Sequence, residues 1–299
     1  MNSSSFEHVS FTVESGVASV ELQRPEVLNA LLPEMGRELS AALEQAAGDN
    51  RVRSVLLSGA GRAFCAGADL RAPRQTRLDG SRDLSVSLRS VYNPLILQLR
   101  RLRLPVVCAV QGAAVGIGAS IALACDLVIA AESAYFLLAF VRVGLIPDGG
   151  VVLLLSHRIG AARAFRLAVL AERLPATRAM EWGAIDEVVA DEQLPEAGFA
   201  LARRLAEGPT IAYKNIKRAA NELRIPELAQ QLELEATLQQ QQANTHDYLE
   251  GTTAFLDRRD PKFTGAAGAA PSTTESCTGP AQTMRIDGEA HVGTDDGEW

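Results

Sequence analysis

No stretch of this sequence is long and apolar enough to read as a membrane span. The nearest approach, residues 109–125, is short, contains Gln111 and Ser120 and abuts Asp126, so it reads as buried core. The N-terminal MNSSSFEHVS lacks the basic and apolar regions of a secretory signal, which makes the cytoplasm the expected compartment. Cysteine is scarce: Cys65, Cys108, Cys125 and Cys277 match neither a disulfide framework nor a zinc site. The first three stand in apolar surroundings and read as small core residues. Among the histidines, His8, His246 and His291 lie in terminal or helical surface contexts that suggest no metal site. Lysine occurs only at Lys214, Lys217 and Lys262, so the positive charge is almost all arginine. A formal net charge of −7 argues against a nucleic-acid partner.

What is present is an ordinary globular composition, 47% hydrophobic and 22% charged, in a chain long enough for a sizeable core. The acidity is concentrated at one end. Beyond Phe263 lie six acids (Glu275, Asp287, Glu289, Asp295, Asp296, Glu298) and one arginine, Arg285, which account for five of the seven negative charges. From Thr264 the composition turns to Gly, Ala, Ser, Thr, Pro and acids, with almost no core formers. Residues 264–299 are therefore expected to be a disordered acidic tail.

Residues 6–13 and 17–22 alternate apolar and polar around Ser15-Gly16 and read as a hairpin. Pro33 starts a helix with Met35, Leu39, Leu43 and Ala46 on one stripe. Residues 54–57 form a short strand, and the arginine-rich 71–82 reads as a mobile loop. A helical period over 84–104 contains Pro94, where a kink or break is expected. Strands follow at 127–130 and 134–136. Helices are then expected at 151–156, 161–171, 176–182, 194–207, 212–222 and 226 to about 247, with a brief strand at 187–189.

The chain is organised around residues 105–126, PVVCAVQGAAVGIGASIALACD. A buried strand passes through Gly112, Gly116 and Gly118 into a small-residue helix. Such a helix start leaves backbone N–H groups unpaired, and with the helix dipole they form an anion site. The stretch SGAGRAFCAGADL (58–70) repeats the arrangement. Two N–H donors from two such loops, aimed at one point, would make an oxyanion hole.

These stretches carry a family resemblance. AFCAGADL (63–70) and GAAVGIGASIALACD (112–126), with RPEVLNAL (24–31), GLIPDGG (144–150) and AFLDRRDPKFTG (254–265) in the same order, resemble the crotonase, or enoyl-CoA hydratase/isomerase, superfamily. The resemblance implies an α/β fold: a spiral of ββα turns over residues 1–200, a C-terminal helical trimerisation region over 201–263, and the tail beyond. It implies an acyl-CoA thioester substrate, with coenzyme A as part of the substrate and no separate cofactor. It places the two oxyanion donors on the backbone N–H groups of Ala68 and Ile117. An enolate oxygen needs N–H groups and not side chains, so a bulky Ile is tolerated there. Segments equivalent to Val27–Leu28 and Ala66, Gly67, Asp69 and Leu70 contact coenzyme A in relatives. A basic C-terminal segment, here Arg258, Arg259 and Lys262, can add charge from a neighbouring subunit.

Hydratases of the superfamily use two glutamates, and these positions fall on Ser120 and Phe140, neither of which transfers protons at neutral pH. Hydration needs one group to activate water and one to protonate carbon. The carboxylate that remains in the motif region is Asp148, where some isomerases of the superfamily carry their catalytic acid. Leu145 and Ile146 could desolvate it and raise its pKa. Asp148 could equally cap the helix that follows. The residues leave both readings open, and the resemblance favours catalysis. Asp126 reads as a structural cap or ion-pair partner, Asp69 as ordering the oxyanion loop, and Gly118 as helix–strand packing, while the resemblance places Gly116 and Phe140 among the substrate-binding residues. Ser120 and His157 lack the G-x-S-x-G elbow of a hydrolase, and Cys65 has no His in its motif.

The expectation is an acyl-CoA isomerase acting on an unsaturated or ring-epoxide thioester. Enoyl-CoA hydration with an unrecognised second acid is the alternative, and a non-catalytic CoA-thioester-binding protein is a further one. Leu228, Leu232 and Leu238 place apolar bulk along one side of the last long helix, which suggests a homotrimer or a dimer of trimers.

Overall fold

The computed structural model describes residues 6–266 except residue 74. The hairpin forms as expected: β1 (Val9–Glu14) pairs antiparallel with β2 (Val17–Leu22), Val9 opposite Leu22. Helix α1 (Pro33–Gly48) starts at Pro33 and buries Met35, Leu39, Leu43 and Ala46. β3 (Ser54–Gly59) then lies parallel to β2, Val17 opposite Ser54.

Around Pro94 the expected break takes a specific form. A short helix, α2 (Ser85–Ser87), runs through a π-helical turn (Leu88–Tyr92) into α3 (Asn93–Arg101). The wider turn accommodates a residue that has no N–H to donate and whose ring crowds the preceding carbonyls.

The pivotal stretch is β4 (Val106–Val110), β5 (Ala113–Val115) and α4 (Ile117–Ala124), followed by β6 (Leu127–Ala131) and β7 (Tyr135–Leu137). β4 pairs with β6 in one sheet, while β5 pairs with β7 in another, both parallel. Successive strand pairs therefore superpose, one strand in each layer, as a ββα spiral requires. A 3-10 turn (Ala139–Val143) leads to α5 (Val151–Ile159), α6 (Ala161–Leu170), β8 (Arg173–Pro175), α7 (Ala176–Glu181) and β9 (Glu187–Val189). The large sheet has the order β1-β2-β3-β4-β6-β9, and the small one β5-β7-β8. β4 is buried along its whole length, which explains its unbroken apolar run.

The helical remainder is α8 (Leu194–Glu207), α9 (Thr210–Asn221), α10 (Arg224–Gln242) and α11 (His246–Asp257). The helix expected to run to about 247 is thus broken in two, and α11 takes in only the first four residues (254–257) of the motif AFLDRRDPKFTG, the rest following as irregular chain. Gly251 packs on Val143, and Gly144 on Asp247, so α11 braces the 3-10 turn and the loop after it.

The leucines of α10 do not form the free apolar face expected of an assembly helix. Leu228 and Leu232 are buried in the chain's own core, Leu238 is half-buried and Leu234 is exposed. Thr264 and Gly265, assigned to the tail, donate their amides to Asp247. The rest of the expected acidic tail lies outside the described residues. Among the described residues no helix is long and apolar enough to cross a membrane.

Candidate active site

The two glycine loops meet backbone to backbone. Residues 65–69 are threaded between two partners through isolated parallel bridges, Leu31 with Ala68 and Cys65 with Ala114. In the first bridge Leu31 donates to the Gly67 carbonyl and accepts from the Asp69 amide. A parallel bridge of this kind leaves the amide of Ala68 itself turned away from Leu31. Gly67 has φ +98°, and a Cβ on it would lie 3.1 Å from the Val115 carbonyl oxygen and 3.9 Å from the Gly116 Cα. Gly116, at φ +54°, turns the chain from β5 into α4. Only glycine suits both the close approach and the backbone angles. Gly118 packs on Cys65, where a Cβ would come within 2.6 Å of the carbonyl oxygen, so its role is the packing one.

Neither the Ala68 nor the Ile117 amide donates to a protein acceptor among the described residues. Ile117 is the first residue of α4, so its free amide stands at the positive end of the helix dipole. Gly116 differs: its amide donates to the Leu137 carbonyl. Phe140 is buried, with its ring 3.7 Å from where a Gly116 Cβ would be. At the position of a hydratase glutamate, the chain thus places an apolar wall.

Val27 and Leu28 come to the same place. Leu28 accepts the Ala66 amide, and the turn is set by buried Asn29, whose Nδ2 donates to the Ala60 and Ala63 carbonyls. Asp69 pairs with Arg24 at 3.1 Å and accepts the Arg71 amide, consistent with ordering the loop, and Leu70 follows half-buried. Lys262 is apart from this cluster. It is exposed, its amide donates to Glu250, and no hydrogen bond or ion pair among the described residues joins it to the site loops.

Asp148 is buried, on the loop between the 3-10 turn and α5. Its main-chain carbonyl accepts from Ser120 Oγ at 2.9 Å. The next residue, Gly149, lies against Ser120 and Ile117, so the loop abuts the first turn of α4. The N-cap of α5 is Gly150, with no side-chain cap bond, so the capping role for Asp148 is not realised. Its Oδ2 accepts from Gln239 Nε2 at 3.0 Å, and its Oδ1 is buried without a partner among the described residues. Burial first, and the negative charge of Glu235 second, push its carboxyl up to about 7. Ser120 has no bond to His157, which pairs instead with Glu227 at 3.4 Å.

Sequence reasoning missed the support for this carboxyl. Gln231, Glu235 and Gln239 recur every fourth residue on α10 and bring one polar row to the Asp148 loop. Glu235 Oε2 accepts the Gly150 amide at 2.9 Å, and Gln231 donates to its Oε1 at 2.9 Å. Gln239 also donates to the Ile146 carbonyl, and Gln242 accepts the Ile146 amide. Burial pushes the Glu235 carboxyl to about 7 as well. The fourfold polar spacing was a signal, but it was overshadowed by the leucines beside it.

The other charged concentration is a cavity of about 450 Å³ lined by Arg100, Asp126, His157, Arg158 and Lys217. Its groups are committed to structure. Arg100 and Arg158 donate to the carbonyls of Leu123, Ala124 and Cys125 at the end of α4, and Lys217 pairs with Asp126 at 2.6 Å.

Residues 12–266 match the family model of enoyl-CoA hydratase/isomerase. The chain is 46% identical over 253 residues to a 1,2-epoxyphenylacetyl-CoA isomerase of Escherichia coli K12, covering 85% of this chain and 97% of that one. It is 42% identical over 261 residues to a probable enoyl-CoA hydratase of Rhodobacter capsulatus, covering 87% and 99%. Among solved structures, an enoyl-CoA hydratase from Mycobacterium avium subsp. paratuberculosis superposes with a TM-score of 0.78 at 37% identity, covering 87% of this chain and all of that one.

Proposed function

The chain belongs to the enoyl-CoA hydratase/isomerase family, and from that membership we propose that it is an acyl-CoA isomerase working through a single carboxyl. In this reading the Ala68 and Ile117 amides bind the thioester oxygen. Asp148 takes a proton from C2 of a 3-enoyl-CoA, and the electron pair moves onto that oxygen as an enolate. The two amides stabilise the developing charge, each such donor being worth about 3 kcal/mol. Asp148 returns the proton at C4 and the double bond reforms between C2 and C3. No water is consumed, so no second acid is needed.

The observation that carries the reading is the Asp148 carboxyl, buried beside α4, poised near 7 and with one oxygen uncommitted. A pKa near the working pH suits a group that must both accept and release a proton. The hydratase reading would need Glu235 as its second acid, but both of its oxygens already hold partners. The name of the Escherichia coli relative supports a ring-epoxide thioester as the natural substrate, with a place in phenylacetate breakdown. The test is a panel of 3-enoyl, 2-enoyl and ring-epoxide CoA thioesters. Isomerisation without water uptake is expected, whereas faster hydration than isomerisation would overturn the proposal.

We also propose a trimer, alone or paired into a hexamer. The support is the exposed apolar set Phe165, Val169 and Leu170 on α6 and Phe255 and Leu256 on α11, which a monomer would leave in water. Light scattering should give at least three times the chain mass at micromolar concentration; a fully active monomer would end this proposal.

A further inference from the structure

Glu235 has 2% of its surface exposed and, among the described residues, no cation as a partner. Its two hydrogen bonds come from neutral donors, the Gly150 amide and the Gln231 side chain. A glutamine here could accept the Gly150 amide equally well, with no charge to bury. Burying a carboxylate away from any cation is expensive and already pushes this carboxyl up to about 7, so an ionisable group at this place calls for an explanation.

The surroundings supply one. The charged groups on the elements packed against the Asp148 loop are bound elsewhere, Glu250 of α11 to Arg259 among them. α4 carries no charged side chain. On α5, Arg158 is bound to the Leu123, Cys125 and Ala184 carbonyls, and His157 is paired with Glu227. On the 3-10 turn, Arg142 is bound to the Ala171 carbonyl. On α11, Asp247 holds Thr264 and Gly265. On α10, Glu233 is paired with Arg89. Among the described residues, Glu235 is the charged group that perturbs the Asp148 carboxyl.

We propose that Glu235 is a positioning residue for proton transfer at Asp148: its carboxylate seats the loop through the Gly150 amide, and its charge acts on the Asp148 carboxyl two residues away. The proposal rests on the reading of Asp148 as the proton carrier. The seat is shared with Gln239, one helical turn on, which grips Asp148 and Ile146. The charge opposes the loss of a proton from Asp148, which makes the ionised form a stronger base at neutral pH. Hydrogen bonds alone would fix the loop; the charge adds to burial in tightening the hold of Asp148 on its proton, against the Gln239 hydrogen bond, which loosens it.

The test compares Glu235→Gln, which keeps an acceptor for Gly150 and removes the charge, with Glu235→Asp, which keeps the charge and shortens the reach. The readout is the pH profile of kcat/KM for isomerisation of a 3-enoyl-CoA by the full chain. In Glu235→Gln the acid limb should move to lower pH by on the order of one unit. The plateau should fall roughly three- to tenfold, as for a weaker base. Glu235→Asp should keep the limb in place and lower kcat. An unmoved limb in folded Glu235→Gln would overturn the proposal, as would a limb in Glu235→Asp that shifts down like the amide variant. Asp148→Asn separates the two levels: if it retains full turnover, the reading of Asp148 falls. If it is inactive while the Glu235→Gln limb stays put, only the role of Glu235 falls.

Discussion

At its C-terminal end α4 presents carbonyls to Arg100 and Arg158, and the residue just beyond, Asp126, is paired with Lys217 and accepts the Val106 amide. At its N-terminal end the Ile117 amide has no acceptor among the described residues, and the nearby carboxyl, Asp148, is raised by burial and by the charge of another carboxyl instead of being lowered by a cation. Both ends are buried and both involve an aspartate, yet one is saturated and the other is left with unmet hydrogen-bonding capacity. Saturation gives a fixed anchor for the helix. Unmet donors and a carboxyl near neutrality give a place where a substrate oxygen and a proton can be received. The contrast separates residues that hold the fold from those proposed to do the chemistry.

The comparison breaks most sharply at Asp148. Asp148→Asn keeps the shape and the bond from Gln239 but removes the proposed proton carrier, so turnover should fall about 10²- to 10⁴-fold with the fold intact. Steady-state kinetics beside a thermal melt would show it, and undiminished turnover would erase the distinction between the two ends. At the other end, Lys217→Met leaves Asp126 without its closest cation, the Nζ contact at 2.6 Å. Burial already pushes the lysine's pKa down, against the pull of Asp126. Loss of about 2–3 kcal/mol of unfolding free energy is expected, with Arg100 remaining as partial compensation. Turnover per folded molecule should stay within about twofold; a large loss of rate without loss of stability would place the C-terminal end in the catalytic machinery.

The subtlest effect to read is in the pH dependence of stability. Asp148 and Glu235 are raised from ordinary values of 3.8 and 4.5 to about 7. The folded state therefore binds protons more tightly than the unfolded chain. The stability this confers is complete below about pH 4 and is lost as pH rises through about 7. At roughly 1.4 kcal/mol per pH unit of displacement, each of the two carboxyls carries a penalty of about 3–4 kcal/mol at pH 8. Asp148→Asn should flatten part of that fall in denaturant titrations at pH 5 and pH 8. A slope equal to that of the wild type would show that Asp148 titrates normally in the folded protein.

Much of the scaffold was legible in the sequence because its signals are local. Pro33 opening a striped helix, the alternation about Ser15-Gly16 and the unbroken run of β4 all report their own secondary structure. The three-residue strands β5 and β8 are too short to show a period, so the second sheet was not separable from its neighbours. The division between α10 and α11 was hidden because Ala243 and Asn244 break the helix without glycine or proline. At the site, the motif residues Ala68, Ile117 and Asp148 could be picked out by resemblance, and the loops do bring them together. Glu235 and Gln239 could not, since α10 was read by its leucines and its polar row has meaning only once it meets the Asp148 loop. Lys262 carried a family expectation that no contact within this chain supports.

The grip of α10 on the Asp148 loop spans a long stretch of chain: the Gly150–Glu235 bond joins residues 85 apart, and the Asp148–Gln239 bond joins residues 91 apart. On the ribosome, the sheet and α4 emerge well before their clamp does. A nascent chain that has completed β9 can close its large sheet while its key carboxyl is still unseated. Competence for catalysis would therefore arrive late in synthesis, at the moment α10 docks, and a partly made chain would be held silent by its own order of assembly.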